Sequence, residues 1–229
     1  MIPLDNTRNA ARLFGICFIL TFLSYGIGSS MVDAVTGDAG FLDLIPDNSI
    51  SLAVGVVLMA VLHSLTNIAL PVLMLPILKP VNERLAYGYF GLAVAATTVL
   101  AVGGVMLLML MPLGDAYAVA DSATRPPLEA TAKMLKSGAT SAYHMGMAIW
   151  SLGGMMFCAV LYRSALVPRF LPVWGMFGYV TLAAGSISEL FFHNNTVEII
   201  SVIPGGLFEI TLSIWLIIRG FNRPVNALS

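Results

Sequence analysis

The chain has 229 residues, of which 58% are hydrophobic and only 10% are charged, and its formal net charge is −1. A soluble domain of this length carries roughly a quarter of its residues as charged side chains, so the composition excludes a soluble globular fold. The near-neutral charge, without a basic aromatic surface, gives no support to a nucleic-acid partner.

Continuous apolar runs of about 18 residues or more recur along the whole chain. Because these runs do not alternate, and because backbone groups in lipid must be satisfied within a helix or a closed barrel, they predict helices. The sequence predicts an all-α membrane protein, one polytopic domain over residues 1–229 that forms a six-transmembrane-helix bundle in a lipid bilayer. The spans are predicted near 10–32, 51–78, 85–111, 139–162, 171–193 and 199–219.

Basic residues are distributed unevenly between the two sides of these spans. With the N-terminus inside, eight lie at cytoplasmic ends and three lie outside, which follows the positive-inside rule. The eight are Arg8, Arg12, Lys79, Arg84, Arg163, Arg169, Arg219 and Arg223, and the three are Arg125, Lys133 and Lys136. The pattern predicts that both termini are cytoplasmic. The first apolar run, which is longer than a signal-peptide core, is predicted to stay uncleaved.

The second predicted span has the most polar interior. His63 and Asn67 are four residues apart and therefore share one helix face. Pro71 and Pro76 follow within the next turns and are predicted to bend the helix or end it early. Between the third and fourth spans, residues 124–136 have the pattern of a short amphipathic helix, which we expect to lie on the outer membrane surface.

The later spans carry the remaining polar and ionisable side chains that are unfavourable in a bilayer. Tyr143 and His144 lie near the outer end of the fourth span, Glu189 lies near the outer end of the fifth, and Glu209 lies near the middle of the sixth. A carboxylate at bilayer depth costs several kcal/mol, so Glu209 is expected to be neutral, paired or facing an aqueous cavity. Cys17 and Cys158 fall inside spans without metal-ligand spacing and are predicted to be small buried hydrophobes.

Helical rise places these residues at two depths. Glu209 is expected at the depth of His63 and Asn67, near the midplane, and Glu189 at the depth of His144 and Tyr143. The sequence therefore predicts two acid–imidazole sets, which together would form a polar track from the outer face to the middle of the membrane. Such pairs exchange protons as coupled groups, but the same side chains also serve as structural hydrogen bonds between helices.

Three stretches resemble a bacterial integral-membrane family that is catalogued only as a domain of unknown function. They are Tyr-Arg-Ser-Ala-Leu-Val-Pro-Arg-Phe-Leu at 162–171, Gly175 to Tyr179, and Glu209 with Trp-Leu-Ile-Ile-Arg-Gly at 215–220. The family pattern is an R-S-x-x-x-P-R turn and a terminal helix with E, W-L and K/R-G. The resemblance implies a fold of six or so membrane helices and a location in the bacterial cytoplasmic membrane, and it supplies no activity.

Three classes of function fit these residues. The first is a proton-linked carrier or receptor for a small solute or lipid, which uses the Glu/His track. The second is a non-catalytic scaffold whose buried polar groups hold helices together. The third is an intramembrane metal-dependent hydrolase, but no compact ligand motif is present, and the two sets lie about 9 Å apart in height, too far for one ion. No cofactor is expected, and the oligomeric state is left open.

Overall fold

The computed structural model describes residues 4–192 and 195–222. Arg223, one of the basic residues counted above, lies outside them. The described chain is helical throughout, without strands. Its helices are α1 (Leu4–Thr36), α2 (Ile45–Val56), α3 (His63–Leu78), α4 (Glu83–Leu108), α5 (Leu110–Ala118), α6 (Arg125–Ser164), α7 (Phe170–Phe192) and α8 (Asn195–Ile218).

Six helical segments are long and apolar enough to cross a membrane, which confirms the predicted fold class and indicates a multi-pass membrane protein. They are Thr7–Thr36, Ile45–Leu78, Glu83–Ala118, Arg125–Ser164, Phe170–Phe192 and Ile199–Ile218. Each exposes large apolar side chains, as a lipid-facing surface requires. Examples are Ile27, Leu65, Val105, Leu152, Phe177 and Ile214.

Two local predictions differ from the structure. Residues 125–136 are not a separate surface helix, because they form the first turns of the 40-residue helix α6. Hydropathy falls where a helix leaves the apolar layer, but the backbone hydrogen bonds continue. Of the two outcomes predicted for Pro71 and Pro76, an early end of the span is wrong, since α3 continues through both to Leu78, and a bend stays a prediction. The span also contains a π-helical segment at Val57–Leu62, directly before His63.

The described chain divides into two compact units. The first unit combines Met1–Leu20, Thr66–Thr97 and His144–Ser229, and the second combines Thr21–Leu65 and Thr98–Tyr143.

An aromatic core holds the first unit together. Phe14 contacts Phe18 and Phe157 at ring-centroid distances of 5.3 and 5.4 Å, and Tyr89 stacks on Phe157 at 5.0 Å. Burial of such large rings supplies both apolar area and favourable ring geometry. Cys158, beside Phe157, is fully buried with a free thiol, as predicted from its position in a span, whereas the same prediction is wrong for Cys17, which is only partly buried.

Helices α7 and α8 pack especially closely within this unit. A Cβ on Gly178 would lie 2.6 Å from the Gly205 Cα, so only glycine allows the two backbones this separation. Small residues at such crossings are the usual means of close helix packing in membranes. One turn beyond Gly205, the same face of α8 carries Glu209, and the residue after Gly178 is Tyr179. The crossing therefore sets the distance between these two side chains.

The second unit has an aliphatic core and a polar network at one end. Its buried residues include Val32, Val35, Ile45, Leu52, Val56, Leu107 and Leu110. At the end of the unit, the Tyr117 hydroxyl donates to Glu129 at 2.7 Å, and the Lys136 ammonium donates to the Thr36 carbonyl. These bonds join α5, α6 and the end of α1, so the segments outside the apolar spans are part of the folded unit.

Candidate functional site

Glu209 lies in the interior of the first unit, with 8% of its surface exposed. Phe208 and Leu212, its neighbours on α8, are fully buried. A carboxyl group in such an apolar setting must have its hydrogen-bonding capacity satisfied by the protein. Its hydrogen-bond partners therefore determine what it can do.

Two neutral donors from two other helices bind the same oxygen of this carboxyl group. The Tyr179 hydroxyl on α7 donates to Oε1 at 2.7 Å, and the Trp150 indole N–H on α6 donates to it at 3.4 Å. The first is a short, strong hydrogen bond, and the second is long and weak. Among the described residues, no lysine or arginine forms an ion pair with Glu209.

Glycine and aromatic side chains position the donors. A Cβ on Gly154 would lie 2.4 Å from the ring carbon that bears the Tyr179 hydroxyl, so the bare α6 backbone makes room for this ring. The Tyr89 ring lies 6.3 Å from the Trp150 ring, and Phe208 meets Tyr179 edge-on at 6.0 Å. We call Glu209, Tyr179, Trp150 and Tyr89 the carboxyl cluster. It is built from four helices of one unit.

His63 anchors a second polar group, in the second unit. Its Nδ1 lies 3.1 Å from the Thr21 carbonyl oxygen, and because a carbonyl only accepts, Nδ1 carries the proton. The imidazole faces the Tyr25 ring at 5.1 Å, and Tyr25 stacks on Tyr143 at 5.4 Å. Beside these tyrosines is a cavity of about 20 Å³, which is sufficient for one water molecule. The π-helical segment that precedes His63 is of a kind often found at functional sites.

The predicted site residues are divided between the two units. Glu209, Asn67, Glu189 and His144 belong to the first unit, and His63 and Tyr143 belong to the second. His63, Asn67, His144, Glu189 and Glu209 are all buried, with exposures of 8, 3, 2, 5 and 8%. Each predicted set draws on both units, so the two proposed sets and the continuous track stay predictions. In the structure, the His63 and Tyr143 rings both contact the Tyr25 ring.

Glu189 differs from Glu209 in its surroundings. It is buried near the C-terminal end of α7, and its Oε2 atom has no hydrogen-bond partner among the described side chains and backbone groups. Burial of an unsatisfied acceptor is costly, so such an atom is a candidate for binding a proton donor or a water molecule.

Sequence reasoning missed Tyr179, Trp150, Tyr89 and Tyr25. Placing tyrosine or tryptophan in an apolar span costs little free energy, so these residues do not stand out in the sequence as glutamate and histidine do. A usable signal was their proximity to glycines. Tyr179 directly follows Gly178 in the family-like stretch 175–179, and Trp150 precedes the pair Gly153–Gly154.

No metal centre emerges from the described residues. In that part of the chain, no three His, Cys, Asp or Glu side chains lie close enough together to hold an ion. The hydrolase alternative therefore lacks a ligand set among them.

Comparison with known families gives a match over most of the chain. A family model described as "Domain of unknown function (DUF4386)" matches residues 13–220. This confirms the resemblance to a family of unknown function. Neither curated proteins nor solved structures give a match to this chain.

Proposed function

The chain belongs to the family described as "Domain of unknown function (DUF4386)", and from the carboxyl cluster we propose that it is a proton-linked carrier or receptor for a small solute or lipid. We place it in a bacterial cytoplasmic membrane with both termini on the cytoplasmic side, as the distribution of basic residues predicts. Glu209 is the group that we assign to proton binding.

The observation that carries this proposal is that, among the described residues, the donors bound to the buried carboxyl group are neutral. A lysine or arginine partner would hold the carboxyl group in its charged form through direct attraction. Tyr179 and Trp150 instead donate to Oε1 in both protonation states, because an oxygen of a protonated carboxyl group still accepts. The cluster can therefore take up and release a proton without losing its hydrogen bonds. Intramembrane ionisable residues of this kind commonly mark proton or ligand pathways.

Trp150 offers a direct test of proton binding, because its indole N–H donates a hydrogen bond to the carboxyl oxygen of Glu209. With Trp174 and Trp215 replaced by phenylalanine, Trp150 is the sole tryptophan. We expect its emission to change with pH in this background and to stay flat after Glu209→Gln. As a control, Asp115→Asn removes an exposed carboxyl group and should leave the pH response intact. A response that survives Glu209→Gln would contradict the assignment.

Transport is tested in proteoliposomes that contain a pH-sensitive dye. Labelled amino acids, organic cations and lysophospholipids are added one at a time across an imposed pH gradient. We expect at least one class to move together with protons, and Glu209→Gln to abolish that coupling while the Asp115→Asn control keeps it. Solute movement that does not depend on Glu209 would argue against proton linkage.

The remaining predicted residues enter the proposal as candidate proton- or ligand-binding groups. They are His63, Asn67, Glu189, His144 and Tyr143. Their support is the burial of all but Tyr143, together with the unsatisfied Oε2 of Glu189. Glu189→Gln and His63→Gln are expected to reduce coupled transport without unfolding the protein. Full activity in both variants would remove them from the pathway.

A scaffold is the second candidate, and one observation favours it. The two hydrogen bonds to Glu209 join α6, α7 and α8, as a structural clamp between helices would. In that case Glu209→Leu would lower the melting temperature, because the clamp would be lost. If Glu209→Leu and His63→Leu both keep or raise the melting temperature, the clamp is not the reason for these residues.

A further inference from the structure

An apolar groove runs along the surface of the first unit, between the end of α6 and the start of α7. It has a cavity volume of about 430 Å³, within the range of small-molecule sites. Its walls include Tyr162, Arg163, Pro172, Val173, Phe177 and Val180. None of these residues belongs to the carboxyl cluster.

The groove opens sideways, where lipid surrounds a membrane helix. Val173, Phe177 and Val180 are 57, 61 and 50% exposed, and they repeat at helical spacing along α7. From Pro172 to Val180, the wall residues on α7, the helix rises about 12 Å, and one leaflet of a hydrocarbon core of about 30 Å is about 15 Å deep. The apolar wall therefore extends along most of one leaflet.

Two guanidinium groups lie at the end of the groove where α6 meets α7. Arg163 is part of the wall, and the Arg169 guanidinium lies 5.6 Å from the centre of the Tyr162 ring. Among the described side chains, no carboxylate forms an ion pair with either arginine. The turn between Arg163 and Arg169 is held by Asn222, whose backbone N–H donates to the Leu166 carbonyl at 2.7 Å.

We propose that this groove binds one anionic phospholipid, with its phosphate at Arg163 and Arg169 and an acyl chain along Val173, Phe177 and Val180. Charge complementarity selects the ligand. Two arginines that have no ion-pair partner among the described side chains lie at the end of an apolar wall about 12 Å long, which matches an anionic headgroup next to a hydrocarbon chain. Arginine suits this role because its planar donors bind phosphate oxygens in pairs. Basic pockets between membrane helices are known to recognise anionic headgroups. This inference does not depend on the proposed carrier function.

The test compares lipid binding by the full-length chain and three variants. Purified protein in neutral detergent is incubated with equal amounts of phosphatidylglycerol and phosphatidylcholine, and bound lipid is counted by native mass spectrometry. Arg163→Gln removes the charge, and Val173→Trp fills the apolar wall at an exposed position. Arg84→Gln, an exposed arginine at the start of α4, is the matched control. Melting temperatures show whether each variant is folded.

We expect the natural chain and Arg84→Gln to retain one phosphatidylglycerol in preference to phosphatidylcholine. Arg163→Gln should weaken this preference roughly fivefold, and Val173→Trp should reduce the binding of both lipids at this site. Equal retention of the two lipids by the natural chain would overturn the proposal, as would an equal loss in Arg84→Gln and Arg163→Gln. Displacement of the lipid by inorganic phosphate at the same concentration would show an anion site without a lipid site. If Arg163→Gln does not fold, unchanged retention of phosphatidylglycerol by Val173→Trp would be sufficient to reject the groove.

Discussion

Glu209 is accommodated in an apolar helix by two neutral donors on one oxygen. The Tyr179 hydroxyl is the closer donor, at 2.7 Å, and Trp150 lies at 3.4 Å. Because hydrogen bonds weaken steeply with distance, Tyr179 contributes most of the stabilisation. The hydrogen bond also fixes where the carboxyl oxygen lies, which any proton or ligand transfer requires.

Tyr179→Phe tests this at the scale of one atom. The change keeps the ring and removes the stronger donor, so we expect the free energy of unfolding to fall by about 0.6–2 kcal/mol. The thermal melting of detergent-purified protein measures it. Tyr162→Phe, at a residue with 46% exposure, should leave the melting temperature unchanged. An equal loss in both variants would mean that the hydroxyl group of Tyr179 has no special role.

The residues of the candidate site could be predicted only in part. Glutamate and histidine in apolar spans are costly, so Glu209, His63 and Glu189 are candidates that the sequence alone indicates, and the structure buries all three. Their partners could not be, because a tyrosine or tryptophan in a span has no such cost, and helix depth does not specify which helices are neighbours. Depth matching places Glu209 with His63, whereas the structure gives it Tyr179 and Trp150 as hydrogen-bond partners.

At the scale of helices, the α7–α8 crossing determines the geometry of the site. A methyl group on Gly178 would meet the Gly205 backbone at 2.6 Å, so Gly178→Ala must push the helices apart. We expect a loss of about 1–3 kcal/mol, typical of overpacking, and a weakened Tyr179–Glu209 hydrogen bond. Thermal melting and the Trp150 emission of the single-tryptophan protein measure the two effects.

Gly206→Ala is the matched control on the same helix. Nothing lies within 4 Å of the position that its new methyl group would take, so the change should be neutral or stabilise the helix by up to about 1 kcal/mol. If both alanine variants melt at the same temperature, the close approach of the two backbones does not limit stability.

The start of α6 provides a pH-dependent prediction outside the membrane spans. Hydrogen bonds from the Thr124 side chain and backbone hold the pKa of Asp121 below its ordinary value. A depressed carboxyl pKa stabilises the fold above the unfolded-state pKa of about 3.9, and this contribution is lost as the pH falls through the folded-state value. Asp121→Ala should therefore lower the melting temperature at pH 7, and the difference from the natural chain should shrink below about pH 4. A constant difference down to pH 2 would contradict this linkage.

Helix existence was predictable, while helix ends were not. Long apolar runs identify spans because lipid imposes both length and composition. Beyond the apolar layer these constraints disappear, and the first turns of α6 are held instead by side-chain bonds such as that of Tyr117 to Glu129. Such bonds depend on tertiary contacts, which hydropathy does not record. The polar stretch before the fourth span therefore has the pattern of a separate surface helix, although it is continuous with α6.

At the scale of the whole molecule, the sequence predicts the direction in which the chain crosses the membrane. Eight basic residues against three favour cytoplasmic termini. A fluorescent protein that folds only in the cytoplasm should fluoresce when it is fused after Ser229 and stay dark when it is inserted after Ala123. Alkaline phosphatase, which is active only outside, should give the opposite pattern.

The reverse result at both positions would invert the topology. It would also put Arg163 and Arg169 at the outer leaflet, away from the anionic cytoplasmic surface that juxtamembrane basic residues favour. The fusion experiment therefore bears on the lipid groove as well as on the orientation.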